Sequence, residues 1–75
     1  MNKLIFTDAT TNEEVFVIDV VKTDEGFFEC DTSLPIYQNF EFEIDCALYG
    51  LNEGGAAADS VEDEECNPYV FWKLI

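Results

Sequence analysis

Apolar and polar side chains alternate with a period of two through most of this chain of 75 residues. Because successive side chains of a β-strand point to opposite faces of a sheet, this alternation predicts strands. A chain this short forms one domain, spanning residues 1–75. We therefore expect a mainly β or α+β fold, with a small antiparallel sheet of four to five strands. The predicted strands cover residues 3–7, 13–21, 27–31, 40–48 and 69–75.

The clearest alternation lies in residues 40–48. Apolar residues occupy the even positions from Phe40 to Leu48, and Glu41, Glu43 and Asp45 lie between them. One apolar face and one face of carboxylates are typical of a half-buried antiparallel strand. We therefore expect the even-numbered side chains, Phe42 among them, to lie in the core and the carboxylates to point away from it.

Residues 52–68 have a different character. Gly54 and Gly55 open the segment, three alanines follow, and an acidic run ends it. Acidic residues favour the first turn of a helix, but a helix of six to ten residues is marginal by itself. The segment is predicted to be one long acidic loop or a short helix, and the sequence leaves open whether residues 56–65 are helical.

The charge of the chain excludes several classes of function. It has 17 Asp+Glu, 3 Lys+Arg and no His, for a formal net charge of -14. Three basic residues cannot neutralise a phosphate backbone, so we expect no direct binding to nucleic acid, and an anionic membrane surface is disfavoured by the same sign. The aromatic content of 15% separates the chain from disordered acidic tails.

No catalytic constellation can be recognised. Without His, neither a Ser–His–Asp nor a Cys–His pair can form, and among 17 acids a pair of carboxylates arises by chance. Phosphate-binding glycine motifs and the spacing of a calcium-binding EF-hand loop are absent. We expect no enzyme, no catalytic residue, no cofactor and no metal site. A weak cation-binding module remains an alternative.

The chain has three cysteines and no recognisable signal peptide. The wide spacing of Cys30, Cys46 and Cys66 fits free thiols in a reducing compartment, although a disulfide between two of them stays open. These features predict a cytoplasmic protein.

The acids are spread evenly, with six in residues 1–25, five in 26–50 and six in 51–75. Solubility of a small domain requires a net charge of only ~2–8, and self-repulsion beyond this lowers stability, so a basic protein partner is expected to compensate. Alternate side chains of a strand are ~6.6–6.8 Å apart, close to two phosphate steps of DNA at ~6.8 Å. The predicted partner-binding residues are Glu41, Glu43, Asp45, Asp24, Glu25, Glu62, Asp63, Glu64 and Glu65.

In composition and spread of charge, the whole chain resembles small acidic phage-encoded inhibitors that mimic nucleic acid. Anti-CRISPR proteins, the uracil-DNA glycosylase inhibitor and the anti-restriction proteins are such inhibitors. The resemblance includes no shared motif, so it transfers no site residues. It implies an inhibitor, first of all an anti-CRISPR protein, that binds the basic nucleic-acid-binding surface of a defence or repair protein in the host cell cytoplasm. The alternative is a small acidic structural or adaptor protein whose charge serves solubility.

Overall fold

A computed structural model describes residues 2–75 of the chain. All strand pairs are antiparallel, and the strands form one sheet in the order β3-β2-β1-β5-β4. This confirms the predicted mainly β fold with a five-stranded antiparallel sheet. The elements are β1 (Asn2–Asp8), β2 (Glu14–Lys22), β3 (Phe28–Glu29), α1 (Pro35–Asn39), α2 (Glu41–Tyr49) with a π-helical extension (Gly50–Gly54), β4 (Ala58–Glu62) and β5 (Pro68–Leu74).

Two hairpins supply four of the five strands, and an aspartate holds the turn of each one. In the β1–β2 turn, Asp8 Oδ1 accepts hydrogen bonds from the backbone N–H groups two and three positions later, at 2.7 and 3.1 Å. In the β4–β5 turn, Asp63 Oδ1 accepts from those two and four positions later, at 2.9 and 3.0 Å. Short carboxylates commonly stabilise turns in this way, so part of the acidity of the chain serves the fold.

The core lies between one face of the sheet and the helices. Three aromatic rings stack across it: the centroids of Phe6 and Phe16 are 4.3 Å apart, and those of Phe16 and Phe40 are 4.1 Å apart. The Asn52 carboxamide bonds to the backbone N–H and C=O of Phe28, at 2.8 and 3.0 Å, which ties the end of the helical segment to β3. The remaining buried residues are Leu4, Ile18, Val20, Ile44, Ala47, Leu51, Val61, Val70 and Trp72.

The strand predicted for residues 40–48 is wrong, because this segment is the helix α2. Its buried residues Ile44 and Ala47, together with Leu51, recur at intervals of three and four, which is the spacing of one helix face. Phe42 was expected in the core, but its position on the helix is opposite the buried face and it is 60% exposed. None of the helices within residues 2–75 has the length and apolar character needed to cross a membrane.

The acidic segment of residues 52–68 also differs from the prediction. It contains no helix in residues 56–65, and Ala58–Glu62 forms the edge strand β4 instead. Val61 is its buried residue, paired with Val70 of β5. The other four strands lie close to their predicted positions, although β3 has only two residues. The last strand, β5, is paired on both sides, by β1 and β4.

Candidate acidic binding surface

Almost all the carboxylates within residues 2–75 lack a cationic partner. Within residues 2–75 the single ion pair joins Lys3 Nζ to Asp19 Oδ1 at 2.7 Å. It accounts for one of the 17 acids, which leaves 16 without a cationic partner in the described part of the chain. None of the buried residues in the described part of the chain is charged or polar, so the carboxylates there lie at the surface, where a partner can reach them.

Helix α2 separates the three carboxylates that were predicted to form one row. At ~100° per residue, Glu41 and Asp45 share one flank of the helix, and Glu43 lies ~160° from either of them. Tyrosines approach both flanks: the Tyr37 hydroxyl donates to Asp45 at 2.9 Å, and the Tyr69 hydroxyl donates to Glu43 at 3.3 Å. The expected row with a phosphate-like pitch along a strand is therefore absent.

On the flank of Glu43, α2 and the β4–β5 turn enclose a groove of about 550 Å³. Two rings, those of Phe42 and Tyr69, supply its apolar surface, and carboxylates from the end of β4 and the following turn surround them. Such a groove can hold a lysine or arginine whose aliphatic stem packs on the rings while its charge meets the carboxylates. We call it the acidic groove; its residues are Phe42, Glu62, Asp63, Glu64 and Tyr69.

The predicted partner-binding residues do not form one site. Asp24 and Glu25 occupy the β2–β3 turn, beside the start of β1, because Asn2 pairs with Val20. The β4–β5 turn lies beside the other end of β1, whose last residue pairs with Val70. A seven-residue strand is ~23 Å long, so the two turns lie at opposite ends of the sheet. The structure brings Glu62, Asp63 and Glu64 together in the acidic groove and places Glu65 in the same turn. Glu43 does not line the groove but accepts the hydrogen bond of Tyr69, which does. The other predicted residues, Glu41, Asp45, Asp24 and Glu25, lie outside the groove.

The negative charge of this surface contributes to raising the pKa of two tyrosines. The hydrogen bond to Asp45 raises the pKa of Tyr37 to about 12, because the carboxylate stabilises the protonated phenol. Partial burial, followed by the charge of Glu43 and the hydrogen bond to it, raises the pKa of Tyr69. Both hydroxyls therefore act as hydrogen-bond donors at neutral pH.

The negative charge of nearby carboxylates also affects the cysteine thiols. All three cysteines are free, and Cys66 is exposed in the β4–β5 turn. Burial first, and the charge of Asp45 second, raise the pKa of both Cys30 and Cys46, so their thiolates are disfavoured at neutral pH. No three His, Cys, Asp or Glu side chains within residues 2–75 converge as metal ligands would.

Sequence reasoning missed Phe42 as a candidate binding residue. The strand interpretation assigned Phe42 to the core, whereas helical spacing from Ile44 and Ala47 directs it to solvent. The sequence contains one signal for the helix: Ala47 is apolar at a position where an alternating strand would carry a polar residue, and it lies on the buried face of the helix.

Comparison of the chain with protein-family models, with curated proteins and with solved structures gives no match.

Proposed function

We propose that this protein is a nucleic-acid mimic that inhibits a defence or repair protein by binding its basic nucleic-acid-binding surface. By its resemblance in composition and charge, an anti-CRISPR protein is the first candidate. The observation that carries the proposal is the set of 16 surface carboxylates that have no cationic partner within residues 2–75.

The magnitude of the charge favours a partner over solubility alone. A net charge of -14 exceeds the ~2–8 that keeps a small domain soluble, and each further carboxylate adds repulsion that destabilises the fold. A basic surface removes this repulsion when it binds, and complementary charge also accelerates association. A protein whose natural ligand is polyanionic provides such a surface, since it uses Lys and Arg to hold phosphates.

The acidic groove supplies a second argument for binding. Phe42 is 60% exposed between carboxylates of α2 and of the β4–β5 turn. Charge that served solubility alone would not require an exposed aromatic ring among the carboxylates. An aromatic anchor with a polar rim is instead the usual composition of the energetically important centre of an interface.

Competition for the nucleic-acid site of the partner tests the proposal. A partner isolated by affinity capture is purified, and its binding to a fluorescent oligonucleotide is titrated with this protein. We expect the oligonucleotide to be displaced competitively, and the affinity of the protein for its partner to fall between about 0.1 M and about 0.5 M NaCl, because exposed charge pairs are screened. The protein alone should not shift labelled DNA or RNA.

Two results contradict the proposal. In the first, the partner binds the protein and the oligonucleotide at the same time. In the second, binding to the partner is insensitive to salt, which indicates an interface dominated by apolar contacts.

A further inference from the structure

The face of the sheet that points away from the helices is open and apolar. Strand register places Ile5 between Val17 and Lys73, and Phe71 beside Thr7, all on this face. Phe71 is 39% exposed, and Val21, further along β2, is 52% exposed. We call this surface the open face. Contiguous apolar surface of this kind commonly marks an interaction site.

Charge is distributed unequally between the open face and the rest of the molecule. The centre of the open face carries Lys3, paired with Asp19, and also Lys73, which has no ion pair within residues 2–75. These three residues sum to +1, so the remainder of the chain carries -15 against the total of -14. A basic partner therefore has no electrostatic reason to bind here. For two copies of this chain, contact through the open face keeps the densest carboxylates apart.

Charge and shape are both self-complementary on the open face. Glu14 and Glu29 pair with residues of this face and lie at its margins, where they can meet the free Lys73 of a second copy. A shallow depression of about 460 Å³, which Ile5 and Phe71 help to line, crosses β1, β5 and β4. The valines of β2 project beside it. Given the strand order, a twofold axis parallel to the strands would place the valines of one copy opposite the depression of the other, which is the isologous contact of a symmetric dimer.

The edges of the sheet do not offer an alternative route to self-association. The edge strand β4 carries the exposed carboxylates of Asp59 and Glu62, which oppose the addition of another strand. The other edge strand, β3, has only two residues. Because neither edge favours pairing with a second copy, the open face is the surface of the sheet that remains for self-association.

We propose that two copies of this chain pair through their open faces, in a dimer whose two sheets pack against each other and whose acidic grooves point outwards. This inference does not rest on the proposed function. Four strands ~4.8 Å apart and ~20 Å long present roughly 400 Å² of flat area per copy. This is less than the ~800 Å² per partner of a standard interface, so the dimer is expected to be reversible.

Sedimentation velocity over protein concentrations from about 1 µM to about 1 mM tests the dimer. The wild-type chain should dimerise with rising concentration, and more strongly at about 0.5 M than at about 0.1 M NaCl, because salt screens the repulsion between copies. The double variant Phe71→Thr, Val17→Thr preserves charge and β-propensity and removes apolar surface from the interface. It should dimerise at least about tenfold more weakly, because burial of apolar surface drives this association.

Phe42→Gln is the matched control, because it removes an exposed aromatic ring from the helical side of the molecule. It should dimerise as the wild type does, and thermal melts should show that all variants are folded. A wild-type chain that stays monomeric over the whole range overturns the inference. It is also overturned if the folded double variant dimerises undiminished, or if Phe42→Gln abolishes the dimer.

Discussion

Individual carboxylates in this protein serve the fold, the surface or, as Asp63 does, both. The short aspartates accept local hydrogen bonds: Asp8 and Asp63 hold hairpin turns, and Asp31 accepts from the backbone and hydroxyl of the residue two positions later, at 2.9 and 2.6 Å. These bonds lower the pKa of Asp31, because they stabilise its charged form. By contrast, Glu64 and Glu65 project from the β4–β5 turn and are exposed. Side-chain length thus separates many structural acids from those available to a partner.

The pair formed by Tyr37 and Asp45 gives a prediction at the scale of one hydrogen bond. Absorbance titration of tyrosinate should detect one phenol with a pKa of about 12, and Tyr37→Phe should remove it. Asp45→Asn removes the carboxylate charge and should lower the pKa of Tyr37 towards its ordinary value of 10.0. The bond should therefore be intact below pH 10 and lost as the pH rises to about 12. A Tyr37 that titrates normally in the wild type contradicts the contact.

At the scale of elements, helix α2 decides which residues belong to the core and which can bind. Ile44 is fully buried, whereas Phe42 is 60% exposed two positions earlier. A strand would place both side chains on one face; a helix places them ~160° apart. The assignment of α2 as a helix therefore also assigns Phe42 to the acidic groove.

Two alanine substitutions distinguish the helix from the strand. Ile44→Ala should lower the free energy of unfolding by ~2–5 kcal/mol, through lost burial and a residual cavity. Phe42→Ala should change it by less than ~0.5 kcal/mol, because the ring is mostly in solvent and alanine favours a helix. Urea unfolding of the two variants measures both values. A larger loss for Phe42→Ala would restore the strand interpretation.

Local alternation predicted β1, β2 and β5, because each contains enough apolar residues on one face to define a period of two. The strand β3 was also predicted, but its two residues are too few to define a period. It failed at α2, where Phe40, Ile44 and Leu48 satisfy both a strand and a helix, and only Ala47 distinguishes the two. It also failed at β4, whose single buried residue, Val61, gives no period. The acidic character of the surface could be predicted from composition. The acidic groove could not, because it requires the packing of α2 beside β4.

For the whole molecule, charge repulsion and hydrophobic burial act in opposite directions. The protein combines a net charge of -14 with a single ion pair in the described part of the chain. The core must therefore hold together a chain that repels itself. Stability and partner binding should consequently respond to salt with opposite signs, since screening weakens repulsion within the chain and attraction between the partners alike.

Thermal unfolding in increasing NaCl tests whether charge repulsion limits the stability of the isolated protein. The melting temperature of the isolated protein should rise between about 0.02 M and about 0.5 M NaCl, most steeply at low salt, where the Debye length is longest. The increase should be smaller for a variant in which three exposed glutamates are replaced by glutamine. A melting temperature that is constant or falls with salt would show that repulsion does not limit stability.

The most direct test of the proposed function compares two sets of substitutions with the same net charge. The groove set is Glu62→Gln and Glu64→Gln, which line the acidic groove, with Glu65→Gln in the same turn. The control set is Glu25→Gln, Glu29→Gln and Glu53→Gln, in the β2–β3 turn, in β3 and in the π-helical extension. Each set replaces three exposed carboxylates and so changes the net charge by +3, from -14 to -11.

The measurement is the affinity of each variant for the purified partner at low salt. The groove set should bind about 3- to 160-fold more weakly than the wild type, since each exposed charge pair contributes ~0.2–1 kcal/mol and the three act together. The control set should bind within about twofold of the wild type. Equal losses for the two sets, or no loss for the groove set, would contradict the claim that the acidic groove binds the basic surface of the partner.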